Sequence, residues 1–270
     1  MLKVLGTGVV AGSVFSGSAA AAGDSRFETL EGEGRDVTGD GEIDLQTTAQ
    51  VCRNGTPRYL GIWMSEAAFD LITSNEAEGD HQHPEGGVSY NLELPELEGV
   101  PYIYAGIDWG PQGHPPTPWQ FPHFDLHFYL EEQETIAGIE GGIAEYEIPD
   151  ERIPEGYVTA EALGAPREVV PMMGEHLLDP TTPELGGEQF THTLIWGSYD
   201  VDDDGLGDSI FTEPMVTSDF MANLDGEVVA PVALPAEVPQ SGYYPTEYSI
   251  QHSADEGHLV TIQNFVWRDA

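Results

Sequence analysis

From about residue 50 the chain runs in short stretches whose apolar positions recur every second residue. "VSYNLELP" sets Val88, Tyr90, Leu92 and Leu94 on one face, the pattern of a half-buried strand. "RYLGIWM", "VPYIYAGIDWG", "HFDLHFYLE", "FTHTLIWGSY" and "IFTEPMVT" read as further strands, several rich in aromatics. "SEAAFDLI" breaks the alternation and predicts a short helix, with Ser65 as N-cap and Glu66 in the first turn. "SDFMANL" predicts a helical turn, and "IPEGYVTAEALG" one short helix inside the less regular stretch 133–170. "HQHPEGG" is a turn, and the proline cluster of "GPQGHPPTPWQFP" must be loop. "YSIQHSADEGHLVTIQNFVWR" reads as a β-hairpin with "ADEG" at its tip. Strands that follow one another without regular helices predict a mainly β fold. The expected form is a sandwich- or barrel-like single domain over 50–270, with a few short helices.

The first part of the chain differs. Residues 1–23 carry Lys3, a Gly-rich apolar stretch and the small-residue run Ala19 to Ala22, which is export-signal character. That stretch is too short and too Gly-rich for a stable spanning helix. Low hydrophobicity with many glycines suits a twin-arginine signal, yet no Arg-Arg pair is present, so the natural start is expected upstream. Residues 24–49 are acidic and Gly-rich and predict a flexible arm. Beyond residue 23 no apolar run is long enough for a membrane span. The expected location is outside the cell or on its surface.

Charge alters the picture further. Asp and Glu number 48 against 8 Lys and Arg, a formal net charge of -40. Such a charge usually accompanies disorder. Here 40% hydrophobic and 10% aromatic residues argue for a folded chain. Molar salt reconciles the two, because a Debye length of roughly 3 Å screens the self-repulsion. A high-salt habitat is therefore expected. The same charge repels phosphates and excludes nucleic acid as a partner. Cys52 is the single cysteine, so no disulfide forms within the chain. It is expected as a small buried residue.

Candidate chemistry concentrates in "FPHFDLHFYL". Side chains of a strand alternate between faces, so His123, Asp125, His127 and Tyr129 share one, and Phe124, Leu126, Phe128 and Leu130 the other. The second face is a core stripe. On the first, neighbours stand about 6.6 Å apart at a rise of ~3.3 Å per residue. One ion bridges i and i+2 on such a face, and i and i+4 only if the strand bends. His123 with Asp125, or Asp125 with His127, is then the easier pair. Further ligands must come from elsewhere, and His114, His176 and Glu213 are the candidates. Imidazole with carboxylate suits Zn, Fe, Mn or Ni. A structural polar cluster and a non-metal catalytic site remain open beside the metal. No serine sits in a nucleophile elbow, which gives a triad hydrolase little support.

A second pattern uses oxygen alone. In "DVDDDGLGDSIF", Asp200, Asp202, Asp204 and Asp208 fall at loop positions one, three, five and nine, with Gly205 sixth. This spacing suits Ca²⁺, although Phe211 stands where a terminal Glu belongs and Glu213 comes two residues late. "DVTGDGEID" repeats the theme with Asp36, Thr38, Asp40 and Asp44.

Several blocks taken together carry a resemblance. They are "NGTPRYLGIWMSEAAFDLI", "GPQGHPP", "PHFDLHFYL", "VPMMGEHLLD", "FTHTLIWGSYD", "EPMVTSDFM" and "SGYYPTEYSI". From about residue 50 to the C-terminus the chain resembles a family of exported bacterial and archaeal proteins of unknown function. It is typified by a sigma-E/anti-sigma-E-regulated Thermus protein. The resemblance implies a β-rich extracytoplasmic domain and a homo-oligomer, and supplies no catalytic residue. His114, His123, Asp125, His127, His176 and Glu213 fall within the matching blocks. The Asp-rich tip at 202–208 and the stretch 24–48 depart from the family pattern, so calcium lies outside what the resemblance implies.

Three functions follow as expectations. The first is an exported protein that binds a transition metal through the histidine cluster, in envelope stress by family analogy alone. The second is a metal-dependent enzyme, hydrolase or oxygenase in type, with an open coordination position at the same cluster. The third is a structural or interaction module whose histidines are merely packed.

Overall fold

The computed structural model describes residues 27–82 and 86–270, so the export-signal-like segment lies outside the described residues. Two antiparallel sheets make up the fold. The smaller is built from β1 (Phe27–Arg35), β2 (Leu45–Cys52), β3 (Pro57–Met64), β13 (Gly226–Pro231), β14 (Gly242–Ser253) and β15 (Gly257–Arg268), in the order β1-β2-β3-β15-β14-β13. The larger holds β4 (His81–Gln82), β5 (Val88–Glu93), β6 (Tyr104–Gly110), β7 (His123–Tyr129), β8 (Gly142–Ile143), β9 (Glu168–Val170), β10 (Gly174–Leu177), β11 (His192–Tyr199) and β12 (Asp208–Thr217). Its order is β4-β5-β6-β7-β12-β11-β10-β9-β8. The expected mainly β fold is present, as a sandwich.

One apolar core joins the sheets. Leu60, Ile62, Ile250, Val260 and Ile262 come from the smaller sheet, and Leu92, Ile107, Phe124, Leu126, Phe128 and Trp196 from the larger. Phe124 and Phe128 are fully buried. Each contributes roughly 1.5–3 kcal/mol through its burial. These are the inward residues of β7 that its alternation assigned to the core.

The opposite face of β7 is buried as well. Two satellite clusters cover that side of the sheet. Tyr129, Ile136, Ile139, Tyr146 and Phe211 form one, and Trp119, Leu178, Phe190, Ile195 and Met215 the other. His123, Asp125 and His127 are all buried on the same face as Tyr129. Covering both faces of a central strand thus encloses a polar row between two apolar patches.

The short helices are α1 (Glu66–Thr73), α2 (Gln133–Ala137) and α3 (Ser218–Asn223). Ser65 caps α1 as expected, its hydroxyl accepting from the Ala68 N–H at 3.1 Å. Three expectations need correction. Residues 24–49 do not form a flexible arm where they are described: they supply β1 and most of β2, with Leu45 and Ala49 in the core. The signal was obscured because β1 is an edge strand, where Glu28, Glu31 and Glu33 guard unpaired backbone instead of marking a loop. "IPEGYVTAEALG" holds a single 3₁₀ turn, Ala160–Leu163, ended by Gly164 at φ 84°. Cys52 is only half-buried, at the end of β2.

Candidate metal centre

The centre is assembled on β6, β7 and β12. Asp108 pairs with Asp125 across β6 and β7, and Met215 pairs with Asp125 across β12 and β7. In the same register Phe211 and Thr212 oppose Tyr129 and Phe128, which sets Glu213 beside His127. His176 arrives from β10, opposite Gly197 of β11. Gly197 leaves room for a ring: a Cβ there would sit 2.2 Å from the ring of Phe211, which packs edge-on against His127 at 4.7 Å.

His114 comes from the loop before β7. Gly113 makes the turn at φ 62°, and a Cβ on it would lie 2.0 Å from the Trp119 carbonyl oxygen. The loop needs a glycine there to bring His114 over the sheet.

His114, His123 and Asp125 form one group, with one ligand atom of each within 4.8 Å of the others. His123 Nε2 is 2.9 Å from Asp125 Oδ1, and His114 Nε2 is 3.6 Å from Asp125 Oδ2. Nδ1 of His123 lies 2.7 Å from the Phe121 carbonyl oxygen, and Nδ1 of His114 2.9 Å from that of Pro115. A carbonyl oxygen only accepts, so each Nδ1 carries a proton and donates it. The lone pair of each neutral ring is then on Nε2, facing the carboxylate. His123 Nε2 and Asp125 Oδ1 are buried without a hydrogen-bond partner of acceptable geometry in the protein. Two such atoms 2.9 Å apart, off the line of a hydrogen bond, need a cation to offset their repulsion, either a proton on the ring or a metal that both reach. Ligands about 2.0–2.2 Å from one ion stand roughly 2.9–3.5 Å apart, which matches this spacing. The backbone carbonyls that fix both rings are the outer partners a metal-binding histidine requires.

His127 lies apart from that trio. Its Nδ1 is 3.1 Å from Asp108 Oδ2 and its Nε2 3.5 Å from Glu213 Oε1. His176 Nε2 is 4.0 Å from Glu213 Oε2. Both nitrogens of His127, Nε2 of His176 and Oε2 of Glu213 are buried without a hydrogen-bond partner in the protein. Of the two expected pairs, the structure therefore brings together His123 with Asp125. His127 turns instead to Asp108, which sequence reasoning missed. Its signal was present: in "YAGIDWG" the residues Ala105, Ile107 and Trp109 face the core, leaving Asp108 on the histidine face.

Electrostatics divides these groups. Burial works against charge on His114 and His127, but carboxylates outweigh it and push both up to about 9: Asp125 beside His114, Glu213 and Asp108 beside His127. Burial likewise opposes charge on His123, and Asp125 raises it nonetheless. Asp125 is held well below the usual carboxylate range, since His123 and His114 overcome its burial. Burial pushes Glu213 up to about 7 against the pull of His127. Burial, helped by His127 and His114, pushes His176 down to about 3. One cluster thus holds rings that keep a cation and a ring that stays neutral, the form in which histidine binds metal.

The two acidic loops are compact. Asp200, Asp202 and Asp204 meet in one and Asp36, Asp40 and Asp44 in the other, within 4.8 Å in each. Asp200 accepts from the N–H groups of Asp204 and Gly205, and Asp36 from those of Gly39, Asp40 and Gly41. Asp208 pairs with Arg152 at 2.9 Å, away from the expected ninth position. Glu213 faces His127, so it does not close the loop.

No helix among the described residues is long and apolar enough to cross a membrane. No protein-family model, no curated protein and no solved structure matches this chain.

Proposed function

We propose that this chain is an exported, salt-adapted protein that binds a first-row transition ion, Zn, Fe or Mn in class. His114, His123 and Asp125 are its first ligands, with His127, Glu213 and His176 as the adjoining reserve of donors. One observation carries this reading: two Nε2 atoms, each with its Nδ1 proton committed to a carbonyl, converge on one buried carboxylate. Because histidine and carboxylate ligands bind metal unprotonated, affinity should rise with pH.

A second reading, the metal-dependent enzyme, is favoured by solvent access. The side chains of His114 and His176 are 21% and 19% exposed, so an ion here could keep an exchangeable water. Homo-oligomer formation and a place in envelope stress rest on the family resemblance. Calcium at the two acidic loops is a separate proposal supported by their clustered carboxylates. A Ca²⁺ titration of Asp200→Asn against wild type tests it.

Metal analysis of purified protein tests the leading proposal. Asp125→Asn should lose one equivalent relative to wild type. His114→Gln, in a loop, should lose the same equivalent without disturbing the sheet. Folded variants with unchanged metal content would refute the site.

A further inference from the structure

A second histidine pair lies on the smaller sheet, sharing no residue with the centre above. His252 and His258 are direct partners across β14 and β15, flanking the hairpin turn. Their rings stack at 4.4 Å with 12° between planes. Glu66, in the first turn of α1, reaches both: Oε1 lies 2.7 Å from His252 Nε2 and 3.4 Å from His258 Nε2. Nδ1 of His252 donates to the Leu224 carbonyl, which leaves the lone pair of the neutral ring on Nε2. His258 is 1% exposed, and neither of its ring nitrogens has a hydrogen-bond partner in the protein. Its other close ring neighbour is Phe69 at 4.2 Å, which offers no polar atom.

We propose that Glu66, His252 and His258 form a second binding site for a divalent first-row transition ion, with two imidazole nitrogens and one carboxylate oxygen as ligands. One ligand atom of each residue lies within 4.8 Å of the others. The rings are nearly parallel and Leu224 fixes His252, so His258 must turn about its broad ring torsion to aim Nε2 at a shared ion. An ion pair of His252 with Glu66 explains two of the three residues. It leaves His258 buried with both nitrogens unmet, which is unfavourable. An ion held by all three satisfies Nε2 of His258 as well. This donor set suits Zn²⁺, Ni²⁺ or Cu²⁺ better than the oxygen-seeking Ca²⁺ or Mg²⁺. The Glu66 side chain is 42% exposed, so solvent or an external ligand completes the shell on that side. The ion would clip the start of α1 to a hairpin 186 residues further along the chain.

Calorimetric titration of metal-free protein with Zn²⁺, in excess Ca²⁺ to fill oxygen sites, separates the two centres. Wild type should take up two equivalents. Glu66→Gln, at a half-buried position, and His252→Asn should each take up one, and Asp125→Asn should also take up one. Glu66→Gln combined with Asp125→Asn should take up none. Heat denaturation adds a second readout, since Zn²⁺ should raise the midpoint of Asp125→Asn but not of the combined variant. Two equivalents with unchanged affinity in folded Glu66→Gln and His252→Asn overturn this second site and leave the first intact. One wild-type equivalent, lost only with Asp125→Asn, overturns it equally. One equivalent lost only with Glu66→Gln overturns the first centre instead.

Discussion

Asp108 and Asp125 face each other across β6 and β7, two carboxylates in register on one buried face. Like charges directly opposite on neighbouring strands destabilise a sheet. The histidines around them supply the compensating charge, His127 beside Asp108 and His123 beside Asp125. Replacing Asp108 with Asn removes one of the three carboxylates, with Glu213 and Asp125, that hold His127 up to about 9. In metal-free protein the His127 pKa should fall by about one unit or more, read from histidine ring shifts by NMR. An unmoved His127 would show that Glu213 and Asp125 hold its proton without Asp108.

Stability of the metal-free protein should decline on the alkaline side. His114 and His127 titrate at about 9 in the folded chain, against an ordinary 6.5. Their contribution is complete below the unfolded value and is lost as pH rises through the folded one. Each ring accounts for at most about 3 kcal/mol between roughly pH 6.5 and 9. A metal on His114, His123 and Asp125 replaces the His114 proton, so loaded protein should lose less stability over the same window, the remainder belonging to His127. Denaturant unfolding at pH 7 and pH 9, with and without metal, checks both halves.

Gly197→Ala should damage the centre from outside it. The new methyl would meet the Phe211 ring, which wedges His127 and lies 5.8 Å from His176. Overpacking of this kind costs about 1–3 kcal/mol. Denaturant melts should show that loss together with weaker metal retention. Wild-type stability would mean that the ring has room to move aside.

Salt should be needed for folding. With a net charge of -40, self-repulsion reaches across the molecule when the Debye length exceeds about 10 Å, below roughly 0.1 M salt. The thermal midpoint should fall steadily from about 3 M to about 0.05 M NaCl. A midpoint independent of salt would contradict the proposed high-salt habitat.

Much of the sandwich was legible because its strands alternate. β5 and β7 carry apolar residues every second position, β11 and β12 are rich in apolar residues, and Ser65 announces α1. β1 was not legible, because an edge strand pairs its backbone on one side and tolerates the glutamates and glycines that otherwise mark a loop. β8 and β9, of two and three residues, are too short to show a period. Within the centre, the period of two placed His123 beside Asp125. It could not show that His127 turns to Asp108, since strand order decides which neighbour lies across. Nor could it join Glu66 to His252 and His258, which depends on how α1 packs against the hairpin.

The most direct measurement is an anomalous difference map from crystals loaded with Zn²⁺. We expect a peak about 2.0–2.2 Å from Nε2 of His123 and His114 and from an oxygen of Asp125. A loaded crystal with no peak there, and with His123 instead donating a proton to Asp125, would show that the cluster is a packed ion pair and not a metal centre.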